Sequence, residues 1–177
     1  MKSNKIVLIP TGDEVMNGTV RDTDSPMMKD MWLKWFPSDT VHICDAVEDS
    51  VEAITCRIAE SMQETDIIVL IGGSGGGHRH DSDLGKDFTH TAMDDFLDPM
   101  VGKSIYGSNG HMWCRLIAGF SGNTFVINVP GPFEEAKAAF TAFCAAFEES
   151  GMPAADSKAL VKINDRMTEA VIGTYGM

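Results

Sequence analysis

The chain has 177 residues, of which 44% are hydrophobic and 23% charged, and it carries a formal net charge of −12. The length fits a single domain over residues 1–177, and the composition is typical of a globular protein. The negative charge argues against binding to nucleic acids or anionic membranes, and no apolar run is long enough for a signal peptide or a membrane span. The four cysteines are widely spaced without a Cys-x-x-Cys pair, so the sequence indicates neither a zinc site nor a redox motif. Because no signal peptide is predicted, we expect reduced thiols and a cytoplasmic location and not disulfides in a secreted chain.

Strand-like and helix-like segments alternate along the chain. Short apolar or β-branched runs predict strands at residues 6–10, 41–46, 67–71, 113–118 and 124–129. Apolar residues at helical spacing predict helices at residues 25–35, 51–62 and 91–97, between residues 132 and 151, and within residues 154–177 from about residue 156. This alternation predicts an α/β fold, a three-layer α/β/α sandwich around a mostly parallel sheet, with antiparallel pairing near residues 113–129.

A glycine-rich loop follows the most apolar of the predicted strands, at residues 72–77. Glycine leaves backbone N–H groups free to approach an anion, and ligands of open α/β sheets bind at the carboxyl ends of the strands. The loop continues with side chains that suit a magnesium-bridged phosphate: the cations His78, Arg79, His80 and Lys86, and the acids Asp81, Asp83 and Asp87. Two alternatives are a glycine turn without a ligand and a weakly supported metal pair at His78 and His80.

The loop after the first predicted strand, residues 11–25, is rich in hydroxyl and acidic side chains. It leads into a predicted helix whose N-terminus would favour an anion. Ordinary N-capping by Asp22, Asp24 or Ser25 explains the same residues, and taken alone it is the better interpretation. Asp49 has two interpretations as well, as the cap of the helix that starts near residue 51 or as a ligand at the edge of the sheet.

Six short motifs follow one another along the chain. They are Thr11-Gly12-Asp13-Glu14 with Gly18 and Asp22-Thr23-Asp24-Ser25, Val47-Glu48-Asp49 with Ile54, Gly72-Gly73-Ser74-Gly75, Asp87-Phe88-Thr89-His90-Thr91-Ala92, Cys114-Arg115-Leu116-Ile117-Ala118-Gly119, and Asn128-Val129-Pro130-Gly131. Over residues 6–145 this order resembles the molybdopterin-binding domain family, which includes MogA- and MoaB-type proteins of molybdenum-cofactor biosynthesis and a domain of CinA-like proteins. The chain departs from the family at Asp24, where asparagine is common, at Cys114, where serine is usual, and in its longer glycine loop.

The resemblance implies molybdopterin binding with adenylyl transfer, in which the terminal phosphate of molybdopterin attacks the α-phosphorus of ATP and pyrophosphate leaves. Asp49 and Asp87 are then the catalytic carboxylates and hold Mg²⁺, and Asp13 and Glu14 form an acidic wall. Because the glycine loop is longer than in the family, Asp81 is an alternative to Asp87. The implied substrate-binding residues are Thr11, Gly12, Asp13, Glu14, Gly72, Gly73, Ser74, Gly75, Arg79, Pro130 and Gly131.

The resemblance is also compatible with two other functions. One is a CinA-like nucleotide pyrophosphatase with water as the nucleophile, and the other is a non-catalytic pterin-binding or scaffold protein. The resemblance also implies a homotrimer. At Gly75 we expect a positive φ or a close approach by the ligand, so that a valine there weakens molybdopterin binding more than it lowers stability.

Overall fold

The computed structural model describes residues 3–75, 87–153 and 157–175. Within these residues one sheet contains the strands β1 (Lys5–Pro10), β2 (Thr40–Ile43), β3 (Ile67–Ile71), β4 (Met100–Tyr106), β5 (Met112–Ser121) and β6 (Thr124–Val129). The helices are α1 (Asp13–Met16), α2 (Asp24–Trp35), α3 (Val51–Ser61), α4 (Thr89–Phe96), α5 (Phe133–Ser150) and α6 (Ser157–Thr174), with a 3₁₀ turn at Met62–Glu64.

The strand order across the sheet is β2-β1-β3-β6-β5-β4. β1 pairs in parallel with β2 and β3, and β3 pairs in parallel with β6. β5 pairs antiparallel with both β6 and β4, so among the described strands it alone runs against the others. The sheet is therefore mostly parallel, and its antiparallel part lies near residues 113–129 as predicted.

The central strands are apolar on both faces because helices cover both faces. In β3, Ile67, Val69 and Ile71 belong to one buried core cluster, while Ile68 and Leu70 belong to the other. Helices α2, α5 and α6 pack into the first cluster, and α3 and α4 pack into the second. The predicted three-layer α/β/α sandwich is confirmed.

Several element boundaries differ from the predicted ones. Strand β4 is not among the predicted elements because it lies at the sheet edge, where exposed Gly102 and Lys103 interrupt the apolar pattern of a central strand. β2 ends at Ile43, before the predicted end at residue 46. Helix α4 begins at Thr89, two residues earlier than predicted.

Of the three capping candidates at the start of α2, Asp22 is confirmed and Ser25 is wrong. The carboxylate of Asp22 accepts hydrogen bonds from the backbone N–H groups of Asp24 (3.1 Å) and Ser25 (3.0 Å) at the start of this helix. Ser25 is a fully buried residue inside the helix. Pro26 follows in the first turn, where a missing N–H costs no helical hydrogen bond.

The predicted C-terminal helix corresponds to α6, which the structure describes from Ser157. Its buried residues Leu160, Ile163, Met167 and Val171 join the first core cluster, so this helix belongs to the same core as the sheet. In the described part of the chain, no helix is both long enough and apolar enough to cross a membrane.

The chain order of the strands creates a crevice at the carboxyl end of the sheet. β1 lies between β2 and β3, so the connection that leaves β1 leads to the strand on one side of it, and the next connection leads to the strand on the other side. At such a switch point the loops after β1 and β3 separate and leave room for a ligand. These are the two loops that the sequence marks as candidate site segments.

Candidate functional site

Thr11 joins the ends of β1 and β3 to helix α4. Its backbone N–H and its hydroxyl both donate to the carbonyl oxygen of Ile71, at 2.8 and 3.1 Å. Its hydroxyl also lies 3.0 Å from the hydroxyl of Thr89, at the start of α4. Because Thr11 is buried, these bonds fix the first loop against the glycine loop.

Two glycines of the glycine loop are required by the backbone and by close packing. Gly72 and Gly73 have φ values of +94° and +57°, which other residues rarely adopt. A Cβ on Gly72 would lie 2.9 Å from the carbonyl oxygen of Thr11, and one on Gly73 would overlap the hydroxyl of Thr89. The glycine loop can therefore lie directly against the first loop only without side chains at these positions.

Gly75 differs from the expectation of a positive φ, because its backbone lies outside the left-handed region. A Cβ at Gly75 would lie 2.7 Å from Oδ2 of Asp87. The close approach at Gly75 is thus made by a carboxylate of the protein itself, the one predicted to be catalytic.

Ser74 connects the glycine loop to β5, where β5 separates from β6. The regular β5–β6 ladder stops before Asn128. The buried Asn128 side chain bridges the gap, since its Oδ1 accepts from Ile117 N–H at 2.6 Å and its Nδ2 donates to the Arg115 carbonyl at 2.9 Å. The N–H of Arg115 donates to the Ser74 carbonyl at 2.7 Å, so the glycine loop takes the place of a neighbouring strand.

Asp49 is held by Asp13 and does not cap helix α3. The Asp13 N–H donates to Oδ2 of Asp49 at 3.3 Å, and the Asp49 N–H donates to Oδ1 of Asp13 at 3.0 Å. The cap is Ser50, whose hydroxyl accepts from Ala53 N–H at 3.0 Å. Asp49 is therefore not the cap of α3, and it lies at the carboxyl end of the sheet.

The carboxylate of Asp49 has an unusual environment. Its Oδ1 is buried and has no hydrogen-bond partner among the described residues. Burial raises the pKa of Asp49 to about 6, and the nearby carboxylates of Glu14, Asp13 and Asp87 add to this, although the hydrogen bond from Asp13 opposes it. A half-buried carboxylate surrounded by other carboxylates is a good position for a cation.

These elements surround a cavity of about 730 Å³ at the carboxyl end of the sheet. The predicted site residues that line it are Thr11, Gly12, Glu14, Asp49, Gly72, Gly73, Ser74, Gly75, Asp87, Pro130 and Gly131. Asp13 is exposed and does not line the cavity, but it holds Asp49. The predicted residues Arg79 and Asp81, with His78, His80, Asp83 and Lys86, lie outside the described residues. A second hollow of about 410 Å³ runs along the exposed side of α6 and is lined by that helix alone.

The sequence matches the family model described as a probable molybdopterin binding domain over residues 7–149. The chain belongs to this family. No curated protein matches the sequence. The fold is similar to that of several solved structures. Their sequence identity to this chain is low, so the similarity concerns the fold alone.

One is CinA, of unknown function, from Thermoplasma acidophilum, with a TM-score of 0.60, 17% identity, and coverage of 80% of this chain and 96% of that one. A putative molybdenum cofactor biosynthesis protein from Corynebacterium diphtheriae has a TM-score of 0.60 and 18% identity over 86% of this chain and 100% of that one. The molybdopterin biosynthesis Mog protein from Mycobacterium ulcerans has a TM-score of 0.56 and 15% identity over 97% of each chain.

The motifs shared with the molybdopterin-binding domain family meet around the cavity, and part of each motif is structural. In the fourth motif, Asp87 lines the cavity, Thr89 bonds to Thr11, and Ala92 is buried in the second core cluster. In the last motif, Asn128 bridges β5 and β6, while Pro130 and Gly131 line the cavity. These motifs therefore contain both residues that line the cavity and residues that support them.

Sequence reasoning missed several residues of the lining. They are Pro10, Val15, Val20, Arg21, Asp22, Thr23, Asp24, Ile71, Trp113, Cys114, Pro132, Phe133 and Glu135. Asp22 and Asp24 were visible in the sequence, but capping explained them equally well, and Asp22 does cap α2. No local pattern marks Trp113 or Phe133, because only the fold brings β5 and the start of α5 to this edge.

The described lining carries far more negative than positive charge. Its carboxylates are Glu14, Asp22, Asp24, Asp49, Asp87 and Glu135, and among the described lining residues Arg21 is the only lysine or arginine. Burial raises the pKa of Asp24 to about 6, with a further contribution from Asp22. We call Thr11, Gly12 and Gly72 to Gly75 the glycine lining, and Trp113 with Phe133 the aromatic lining.

The described residues contain no group of three or more His, Cys, Asp or Glu arranged to hold a metal ion. Magnesium does not need such a group, because in nucleotide enzymes it is bound by one or two carboxylates, substrate phosphates and water. Asp49, whose buried Oδ1 has no hydrogen-bond partner in the described part of the chain, and the neighbouring Asp87 fit this requirement.

Proposed function

We propose that the protein transfers the adenylyl group of ATP to molybdopterin with Mg²⁺ as the cofactor. The observation that carries this proposal is Oδ1 of Asp49, which is buried, has no hydrogen-bond partner among the described residues and lies next to Asp87 at the edge of the cavity. In this reaction an oxygen of the terminal phosphate of molybdopterin bonds to the α-phosphorus of ATP. The bond from that phosphorus to the bridging oxygen breaks, and pyrophosphate leaves with the electron pair.

Electrostatics supports a cation-dependent reaction at this site. Two phosphorylated substrates bring several negative charges to a lining that already carries six carboxylates. Asp49 and Asp87 would hold the magnesium ion, which when bound offsets the charge that develops on the transferring phosphoryl group. The raised pKa of Asp49 means that its carboxylate is costly to ionise without a partner. A bound cation would remove this cost, because it stabilises the ionised form.

The protein's own groups would act chiefly by positioning. A phosphate oxygen is already a nucleophile at neutral pH, so no side chain has to remove a proton from it. Asp13 holds Asp49 by two hydrogen bonds, one from its N–H to the Asp49 carboxylate and one from the Asp49 N–H to its own carboxylate. The glycine lining would permit close approach of phosphate groups. The contact between the hydroxyls of Thr11 and Thr89 holds the first loop against the start of α4.

Product analysis tests this proposal directly. We expect wild-type protein incubated with ATP, Mg²⁺ and molybdopterin to form adenylylated molybdopterin and pyrophosphate, measured by mass spectrometry. Formation of AMP from a nucleotide diphosphate without transfer would show the pyrophosphatase alternative instead. Binding of molybdopterin without any turnover would show the scaffold alternative.

We also propose that the chain forms a homotrimer, as the family resemblance implies. Exposed apolar side chains are available for such contacts, among them Met16 and Val161. Light scattering at micromolar concentration should give three times the chain mass of 19.2 kDa. A monomer across that range would contradict the proposal.

A further inference from the structure

Trp113 is a fixed aromatic group in the wall of the cavity. Its indole is partly exposed and lines the cavity from β5. The ring lies 4.2 Å from the ring of Tyr175, centroid to centroid, at an angle of 50°. It also lies against Gly107, where a Cβ would overlap the indole. Because the ring is already held in place, little side-chain entropy is lost when a ligand contacts it.

The turn that carries Gly107 is itself tightly bonded. The N–H of Gly107 donates to the carbonyl of His111 at 2.9 Å, and the N–H of Gly110 donates to the carbonyl of Gly107 at 2.9 Å. Gly110 has a φ of +77°, which completes the turn between β4 and β5. The indole therefore packs on the backbone of this turn as well as on the ring of Tyr175.

Trp113 and Phe133 are the only aromatic residues among the described residues of the lining. Phe133 is the first residue of α5 and is 39% exposed. The other described lining residues are glycines, prolines, carboxylates, hydroxyl and aliphatic side chains, Cys114 and Arg21, none of which offers a flat aromatic face. The aromatic lining is thus chemically different from the rest of the cavity.

We propose that Trp113 binds the planar heteroaromatic ring of a substrate by stacking. Given the proposed function, on which this inference rests, the ring is the adenine of ATP or the pterin of molybdopterin. Both are flat conjugated rings, and stacking on an aromatic side chain favours such rings without requiring a particular hydrogen-bond pattern. The phosphates of the same substrate would then lie toward the glycine lining and the paired carboxylates.

Tyr175 acts as a positioning residue in this arrangement. It lies just after α6, where its N–H donates to the carbonyl of Ile172 at 3.1 Å, and it contacts Trp113 and not the reacting atoms. Tyr175 lies outside residues 7–149, which the family model matches. The C-terminal helix thereby supports the ring site from outside the shared domain.

Direct binding measurements test the inference without requiring turnover. Three probes are titrated into the full chain by calorimetry in the presence of Mg²⁺: ATP, 6-hydroxymethylpterin, and tripolyphosphate, which has no ring. The variants are Trp113→Ala and Trp113→Phe, with Tyr106→Ala as the matched control. Tyr106 is an exposed aromatic residue of the neighbouring strand β4 and is absent from the cavity lining. Thermal unfolding of each variant checks that the fold is retained.

We expect Trp113→Ala to weaken the binding of ATP or of the pterin at least tenfold, and Trp113→Phe to restore most of the affinity. Tripolyphosphate binding and the Tyr106→Ala variant should stay within twofold of wild type. A loss for ATP alone assigns the ring as adenine, and a loss for the pterin alone assigns it as pterin. Tyr175→Ala should give a smaller loss for the same ring, which Tyr175→Phe restores.

Two results would overturn the inference. Equal affinity of wild type and Trp113→Ala for both ring-bearing probes would remove Trp113 from the site while leaving the adenylyl transfer proposal intact. Equal weakening of tripolyphosphate would show a general distortion of the cavity. Wild-type protein that binds neither ATP nor the pterin would contradict the proposed function as well.

Discussion

The glycine lining and the aromatic lining are held in place by different forces. Backbone and hydroxyl hydrogen bonds fix the glycine lining, as in the contacts of Thr11 with Ile71 and Thr89. The aromatic lining depends on packing, with the indole of Trp113 against Gly107 and Tyr175. The first belongs to the family motifs, while the second lies outside them. The proposed transfer chemistry and the proposed recognition of the ring are therefore open to separate experimental change.

The largest effect is expected from the carboxylates beside the glycine lining. Asp49→Asn and Asp87→Asn should each lower the adenylyl transfer rate by about 10³-fold, or about 4 kcal/mol, because they remove charge that holds the metal. The matched controls are Asp45→Asn and Asp95→Asn, exposed acids on neighbouring segments that do not line the cavity. These controls should keep wild-type rates.

The same series decides between the two candidate loop carboxylates. If Asp87→Asn stays active and Asp81→Asn is inactive, the loop carboxylate is Asp81 and the assignment to Asp87 is wrong. If Asp49→Asn and Asp87→Asn are both fully active, the transfer reaction does not take place beside the glycine lining.

The backbone of the glycine lining can be tested by stability. Gly73→Ala places a side chain at a φ of +57° and against the hydroxyl of Thr89, so it should lower the free energy of unfolding by about 2–3 kcal/mol. Gly110→Ala is the matched control, since its φ is +77° but no atom lies within 4 Å of the added Cβ. It should cost only the backbone strain of about 1–2 kcal/mol. Urea unfolding of both variants gives the difference, and equal losses would mean that the contact with Thr89 is unimportant.

The sequence predicts the centre of this molecule better than its edges. The strands β1, β3 and β6 are apolar on both faces, so their runs of β-branched residues are visible without the structure. The edge strand β4 has no such run and is missed. In the site, the glycine lining follows from motifs, but Trp113 and Phe133 do not. Their role depends on contacts between segments far apart in the chain, such as Trp113 with Tyr175.

A smaller effect is expected at Gly75, where the added side chain meets a carboxylate and not a backbone atom. Gly75→Val should displace Asp87 and weaken Mg²⁺-dependent binding of molybdopterin about tenfold, or about 1.4 kcal/mol. Thermal stability should change much less, because the neighbouring atom is the end of a side chain. Calorimetric titration gives the affinity. In the double variant with Asp87→Asn the two losses should not add, whereas additive losses would place the effect of Gly75 elsewhere.

The smallest expected effect is a pH-dependent change in stability at Asp49. Burial raises its folded-state pKa from 3.8 to about 6. Between these values the folded protein binds a proton that the unfolded chain does not, so this contribution to stability is fully present below pH 3.8 and is lost as the pH rises through 6. Because the side chain is only half-buried, water screens part of this effect. Asp49→Asn should therefore raise the melting temperature by about 2–4 °C at pH 7.5, as expected for about 1 kcal/mol in a domain of this size.

This gain in stability should shrink between pH 6 and pH 4, where the wild-type carboxylate becomes protonated. Asp45→Asn, which changes an exposed acid, should show no comparable trend in scanning calorimetry across the same range. Mg²⁺ should raise the melting temperature of the wild-type protein and not that of Asp49→Asn, because only the carboxylate gains from the cation. A variant that is no more stable than wild type at pH 7.5 would mean that the Asp49 carboxylate is better solvated than its buried Oδ1 indicates, and would weaken the case for a cation at this position.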